Sequence, residues 1–203
     1  QKVLRRFWYP VIAMSALESG PKPFRLMGED LVLFKGAQGE PVALQDRCCH
    51  RTAKLSAGWC ENGTIVCGYH GWTYDVTGRC VRIPQYTTEQ IPAHAKVNAY
   101  RAQAKYGYVW VALDEPIAPI PEFEEAADPS FRQIDQFYEV WNCAGLRLME
   151  NSFDMAHISY VHRESFGILE EPKTDLMQIK PLDFGLETYV EVPVKNADDT
   201  AAR

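Results

Sequence analysis

The chain lacks any apolar run long enough to cross a bilayer. Its longest, Trp8–Met14 and Tyr106–Leu113, fall far short of the roughly 20 residues that a membrane helix needs, so no membrane partner is expected. It also lacks positive charge. Lys and Arg number 21 against 27 Asp and Glu, a net charge of −6 with no basic stripe, and this argues against a nucleic-acid partner. The opening Gln1-Lys2-Val3 carries no secretory signal pattern. No internal repeat or low-complexity tract is present. The six cysteines, at 48, 49, 60, 67, 80 and 143, show no disulfide-framework spacing. Unbridged thiols point to a reducing compartment, and the cytoplasm is expected. A chain of 203 residues, 46% hydrophobic and 24% charged, buries roughly 70% of its unfolded surface without such staples.

Histidine is scarce too, and its placement is informative. Of the five, only His94, between Ala93 and Ala95, stands outside two short motifs, and it reads as a surface residue. The first motif is Cys48-Cys49-His50-Arg51, then Cys67-Gly68-Tyr69-His70-Gly71-Trp72, with sixteen residues between His50 and Cys67. Each loop offers one thiolate and one imidazole. A [2Fe–2S] cluster with two Cys on one iron and two His on the other needs that set. The single residue between Cys48 and His50 suits ligands that serve neighbouring irons. It is awkward for a tetrahedral zinc, whose paired ligands from one loop usually stand two to four residues apart.

CCHR…CGYHGWTYDVTGRC resembles the Rieske domain of the Rieske non-haem iron oxygenases, over about the first half of the chain. The resemblance makes Cys48, His50, Cys67 and His70 the cluster-binding residues. Respiratory-complex Rieske proteins carry a further cysteine in each loop, and the two form a bridge. Here those positions are Ala53 and Tyr69, so the chain resembles the low-potential branch, at the low end of the range of about −150 to +300 mV. Cys49 is expected to point away from the cluster in a structural role, Trp72 to shield the cluster, and Arg51 to be a surface or interface charge.

The second motif lies in Glu150-Asn151-Ser152-Phe153-Asp154-Met155-Ala156-His157-Ile158-Ser159-Tyr160-Val161-His162. Two histidines and a nearby carboxylate fit a non-haem iron site with open positions, and equally an ordinary amphipathic helix. After a Rieske motif, N-x2-D-x2-H-x4-H is similar to the iron motif of the family's catalytic domain. By that resemblance His157 and His162 bind a mononuclear Fe(II). Asp154 then bridges a metal-bound histidine to a cluster histidine of the neighbouring subunit, which implies a homotrimer. At ~3.6 residues per turn, Asp154 and His157 would share a helical face. His157 and His162 would stand about 140° apart, so the helix is predicted to bulge or end between them. Asn151, Phe153 and Met155 are candidates to line the site. The resemblance places a third, carboxylate ligand far downstream. Asp175, Asp183, Asp198 and Asp199 sit in no recognisable motif, and that ligand stays unassigned.

The fold class expected is α+β. An all-β Rieske [2Fe–2S] domain over residues 1–115 is followed by the start of an α+β catalytic domain over 116–203, divided at the proline-rich Asp114–Pro121. Residues 7–14 read as an edge strand, because Pro10 fits only there. Leu31–Phe34 and Val42–Gln45 form a hairpin, Asn62-Gly63 marks a tight turn, and Trp72–Asp75, Val97–Ala104 and Tyr108–Leu113 supply further strands. Both cluster loops are expected at hairpin tips. Beyond the linker come a strand over 136–141, a helix from about Cys143 capped by Asn142, a strand over 185–194 and a frayed end.

The resemblance implies the oxygenase component of a two-metal system. A reductase or ferredoxin would supply electrons, and O2 would be used to hydroxylate, dihydroxylate or demethylate a small aromatic or hydrophobic substrate. The alternatives are a Rieske-type electron carrier, which lacks the second motif, and a zinc-stabilised interaction domain. The cluster reading predicts a brown protein that partly bleaches with dithionite; a colourless preparation would favour zinc.

Overall fold

The computed structural model describes residues 2–86, 91–133, 139, 141–183 and 185–195. The chain divides into two compact units, Gln1–Ile134 and Asp135–Arg203. The first holds ten strands: β1 Tyr9–Ala13, β2 Lys22–Leu26, β3 Glu29–Lys35, β4 Pro41–Gln45, β5 Trp59–Glu61, β6 Thr64–Val66, β7 Thr73–Tyr74, β8 Cys80–Arg82, β9 Ala99–Lys105 and β10 Tyr108–Ala112. They make two antiparallel sheets, one of six strands in the order β1-β10-β9-β4-β3-β2 and one of four in the order β5-β6-β7-β8.

The uninterrupted run Leu31-Val32-Leu33-Phe34 in β3 is fully buried, because both faces of the large sheet are covered. Alternation sends Leu31 and Leu33 to a core with Val11, Ala43, Val109 and Val111. Val32 and Phe34 go to the opposite core, with Leu44, Ile65, Tyr74, Cys48 and Cys67. Cys48 and Cys67 thus belong to the core between the two sheets. β1 is an edge strand, as Pro10 requires, with Pro10 opposite Trp110. β2 takes the other edge; Pro23 and two basic residues hide it in the sequence pattern. Asn62 and Gly63 have φ of 49° and 75°, two consecutive left-handed residues that close the β5–β6 hairpin tightly.

The Cys48–His50 and Cys67–His70 loops do not both crown hairpins. The Cys67–His70 loop joins β6 to β7 within the small sheet. The Cys48–His50 loop instead leaves β4 in the large sheet and reaches β5 in the small one through a short 3-10 turn, Leu55–Ala57. It differs from expectation because β4 spends its hydrogen bonds on β3 and β9, which leaves none for β5.

The proline-rich Asp114–Pro121 segment lies within the first unit. Asp114 and Ile117 donate backbone hydrogen bonds to Arg5 and Arg6 carbonyls, and Arg5 pairs with both Asp114 and Glu29. Further on, the Tyr106 hydroxyl donates to the Pro121 carbonyl, Phe123 N–H donates to the Tyr106 hydroxyl, and the two rings pack at 5.2 Å. Residues 116–133 therefore form a strap along the first unit.

In the second unit, helix α1 spans Gly145–Phe153, the one-turn helix α2 spans Ile158–Val161, and β11 Gln178–Leu182 pairs with β12 Gly185–Tyr189. α1 starts two residues later than expected, with Ala144 as N-cap and no side-chain cap. β12 is shorter than the expected 185–194 strand. The expected strand over 136–141 falls largely outside the described residues, as does the stretch after Lys195.

A Cβ at Gly63 would stand 2.2 Å from the Ala37 backbone nitrogen, at a left-handed φ. Gly63→Ala should therefore cost about 1–3 kcal/mol, read as a lower denaturant midpoint at unchanged slope.

Candidate functional site

The loop that carries Cys48 is closed on itself. Cys48 N–H donates to the Ala53 carbonyl at 2.8 Å, and Thr52 N–H donates to the Cys48 carbonyl at 3.0 Å. Thr52 is forced to a φ of 57°, rare for a β-branched residue; such strain persists only where the surroundings over-determine it. Buried Asp46 anchors the loop by accepting from Ser56 N–H and Oγ at 2.7 and 2.6 Å. The second loop is closed by Cys67 N–H to the Trp72 carbonyl and Gly71 N–H to the Cys67 carbonyl.

The closure puts sulfur inside and imidazole outside. Cys48 and Cys67 are 2% and 1% exposed and their thiols interact directly. His50 is exposed and His70 half-buried, with ring centroids 4.7 Å apart. Trp72 stacks on His50 at 4.6 Å with planes 5° apart. The two imidazoles and Trp72, Ile83, Gln85, Tyr86 and Pro92 line a cavity of about 490 Å³. All six cysteines are free.

Burial pushes the Cys67 thiol up, and the backbone N–H groups of Tyr69 and His70 work against that shift. Those amides point at the sulfur and favour a charged ligand there. Desolvation, with His70 and Arg51 adding repulsion, holds the His50 imidazole below the usual histidine range. It is therefore neutral near pH 7, the form that binds metals. Tyr74, wholly buried in β7, places its hydroxyl 3.0 Å from Cys48 Sγ. Burial first, and then its cysteine neighbours, drive the phenol far above the usual tyrosine range, so it stays a proton donor. Tyr74 has no signature in sequence: inside a two-residue strand it reads as core.

The second site lies within the second unit. α1 ends at Phe153 and Asp154 adopts an extended conformation as its C-cap. Asp154 and His157 thus do not share a helical face. Their proximity comes from a turn in which Asp154 Oδ1 accepts from Ala156 N–H at 2.9 Å, leaving Oδ2 3.8 Å from His157 Nδ1. His157 and His162 flank α2 as N-cap and C-cap. The expected break does not fall between them: α2 fills that interval, the helix is interrupted before His157 at Asp154, and the ring centroids stand 5.4 Å apart. Phe166 stacks on His162 at 4.5 Å. Its neighbour Gly167 passes so close to the Ile158 carbonyl that a Cβ would stand 2.3 Å from it. The spacing of the histidines gives no hint of Phe166. His157 and His162 share a cavity of about 410 Å³ with Trp141, Cys143, Arg147, Leu148, Asn151 and Val161. Phe153 and Asp154 line a different cavity, with Leu146, Met149 and Glu150.

The donor sets fit iron. Cys48 and Cys67 lie together in the core and His50 and His70 lie together towards the surface, a division into two thiols and two imidazoles that suits the two irons of a Rieske cluster. In the second unit, His157 Nδ1 is buried with no hydrogen-bond partner, an orphan atom that metal-site histidines satisfy with a carboxylate.

The profile of the Rieske [2Fe-2S] domain matches residues 7–101, and that of the vanillate O-demethylase oxygenase C-terminal domain matches residues 141–200. The chain belongs to the Rieske non-haem iron oxygenase family. The family's cofactors are a [2Fe–2S] cluster in the Rieske domain and a mononuclear Fe(II) in the catalytic domain. The chain is 36% identical over 191 residues to methylxanthine N1-demethylase NdmA of Pseudomonas putida, covering 90% of this chain and 53% of that one. It is 35% identical to the vanillate O-demethylase oxygenase subunit of a Pseudomonas species, covering 70% and 43%. The solved structure of NdmB from Pseudomonas putida superposes with a TM-score of 0.82 at 31% identity, covering 93% and 59%. The chain spans about half the length of the curated relatives it matches. No helix among the described residues is long and apolar enough to cross a membrane.

Hydrogen bonds to cluster sulfur raise the reduction potential. Tyr74→Phe should lower it by about 40 mV, the one-electron equivalent of about 1 kcal/mol, by redox titration of the Rieske absorption. His50→Cys or His70→Cys should also lower the potential and change the spectra, because a thiolate replaces a neutral ligand.

Proposed function

We propose that this chain carries the oxygenase component of a Rieske system. In this reading Cys48, His50, Cys67 and His70 hold the [2Fe–2S] cluster, and His157 and His162 hold the mononuclear iron. The observation that carries the reading is the second histidine pair. Two imidazoles line one cavity, and the buried, orphaned Nδ1 of His157 faces the Asp154 carboxylate, in a chain whose first unit already presents the Rieske loops. An electron carrier has no use for that pair.

When bound, the cluster supplies one-electron transfer and the Fe(II) supplies O2 activation. The chain's own residues set the conditions. Cys48 and Cys67 keep sulfur out of water, while His50 and His70 reach the surface where an electron donor or an acceptor can approach. Trp72 covers one face of His50. Asp154 Oδ2 stands 3.8 Å from His157 Nδ1, and closing that gap would let it accept the Nδ1 proton, fix the tautomer and leave Nε2 for the metal. Asp154 is 55% exposed in its side chain and is free to meet a cluster histidine of a neighbouring subunit, which supports a cyclic homotrimer. Phe166 fixes the His162 ring, and the mostly apolar cavity beside it takes a planar substrate.

The substrate class proposed is a small aromatic compound carrying an N- or O-methyl group, by similarity to demethylases of methylxanthines and of vanillate. The electron donor is a reductase or ferredoxin, and the compartment is the reducing cytoplasm. The third iron ligand has no candidate among the described residues.

The protein should carry about three irons per chain, two in the cluster and one between the histidines. His157→Ala or His162→Ala should reduce this to about two and abolish substrate-dependent O2 uptake, with an unchanged Rieske spectrum. Loss of the cluster in either variant would refute two separate sites. Asp154→Ala should keep both metals and a reducible cluster while turnover falls by about 10- to 100-fold; near-normal turnover would remove its bridging role.

A further inference from the structure

Cys49 is not in the proposed ligand set, and its place beside Cys48 led to the expectation that it points away from the cluster. The structure places its amide and sulfur against the Tyr74 hydroxyl. Cys49 N–H donates to Tyr74 Oη at 3.2 Å, and Cys49 Sγ lies 3.3 Å from the same oxygen. Tyr74 Oη is also 3.0 Å from Cys48 Sγ. Three contacts meet on one hydroxyl, which has one proton to give and two lone pairs to receive. A ligand thiolate at Cys48 accepts only. The hydroxyl proton therefore goes to Cys48, and the lone pairs go to the N–H and S–H of Cys49. Tyr74 is 0% exposed, so bulk water does not compete for its oxygen. Donors into the phenol oxygen polarise its O–H and strengthen the bond it gives in turn.

We propose that Cys49 is a positioning residue for the cluster: its N–H and S–H hold the Tyr74 hydroxyl on Cys48 Sγ and thereby raise the cluster's reduction potential. This rests on Cys48 being a cluster ligand. The side chain acts through Tyr74 and touches neither iron nor substrate in this role. Its exposed position makes truncation compatible with folding.

The test is a redox titration of the cluster-loaded protein and four variants, each first checked for an intact Rieske spectrum. Cys49→Ala removes the S–H and keeps the N–H, and should shift the potential downward by less than Tyr74→Phe does. Cys49→Ser keeps a donor and should restore most of the shift. In the Tyr74→Phe background, Cys49→Ala should add no further shift. A Cys49→Ala potential equal to wild type, or an equal shift in both backgrounds, would overturn the proposal. An unchanged potential in Tyr74→Phe would overturn it too, because Cys49 acts only through that hydroxyl, whereas a Cys48→Ala protein that kept its Rieske spectrum would instead overturn the assignment of Cys48 as a ligand, a failure distinguishable from the first.

Discussion

Two thiols lie buried while two imidazoles only a few residues away stay within reach of the surface, and this constraint shapes the first unit. Cys48 and Cys67 sit in the core between the sheets with Phe34, Leu44 and Ile65. Only two residues from Cys48 and three from Cys67, His50 and His70 are partly in solvent. Loops this short can reverse from core to surface only if their backbone is pinned. Cys48–Ala53, Cys67–Trp72 and the buried Asp46–Ser56 contacts do the pinning. The doubly covered β3–β4 pair gives those loops a rigid base.

The second unit solves a different problem, bringing residues 154, 157 and 162 together when one straight helix would fan them out. The chain breaks α1 at Asp154, turns, and resumes for a single turn so that both histidines stand at its ends. Asp154 occupies the negative end of the α1 dipole, where a carboxylate is unfavourable. Helix stability therefore does not explain its presence, and the polar group beside it is the buried His157 Nδ1, 3.8 Å away.

Much of this was legible because the informative features are local. Asn62-Gly63 announces its turn by backbone conformation, Pro10 announces an edge by its missing N–H, and the C-x-H and C-x2-H spacings state a ligand chemistry. What stayed hidden depends on tertiary contact. The bridging path of the Cys48 loop reflects β4's choice of partners, and the strap over 116–133 reflects Tyr106, Arg5 and Arg6 across long sequence separations. Shared helical face was the wrong reason for pairing Asp154 with His157, since a periodicity argument assumes an unbroken helix. Tyr74, Phe166 and the inward reach of Cys49 carry no spacing signal; each gains meaning only from the atom it touches.

The Cys48 loop leaves one sheet and the Cys67 loop belongs to the other. A cofactor held by both would close the chain from Cys48 to Cys67 into a ring, much as a disulfide would, and a closed loop of that size is worth about 3 kcal/mol. A cluster held there would be a clasp as well as a redox group, its binding energy becoming folding energy. Without one, the Asp46–Ser56 contacts and the shared core would be left to hold the small sheet to the large one.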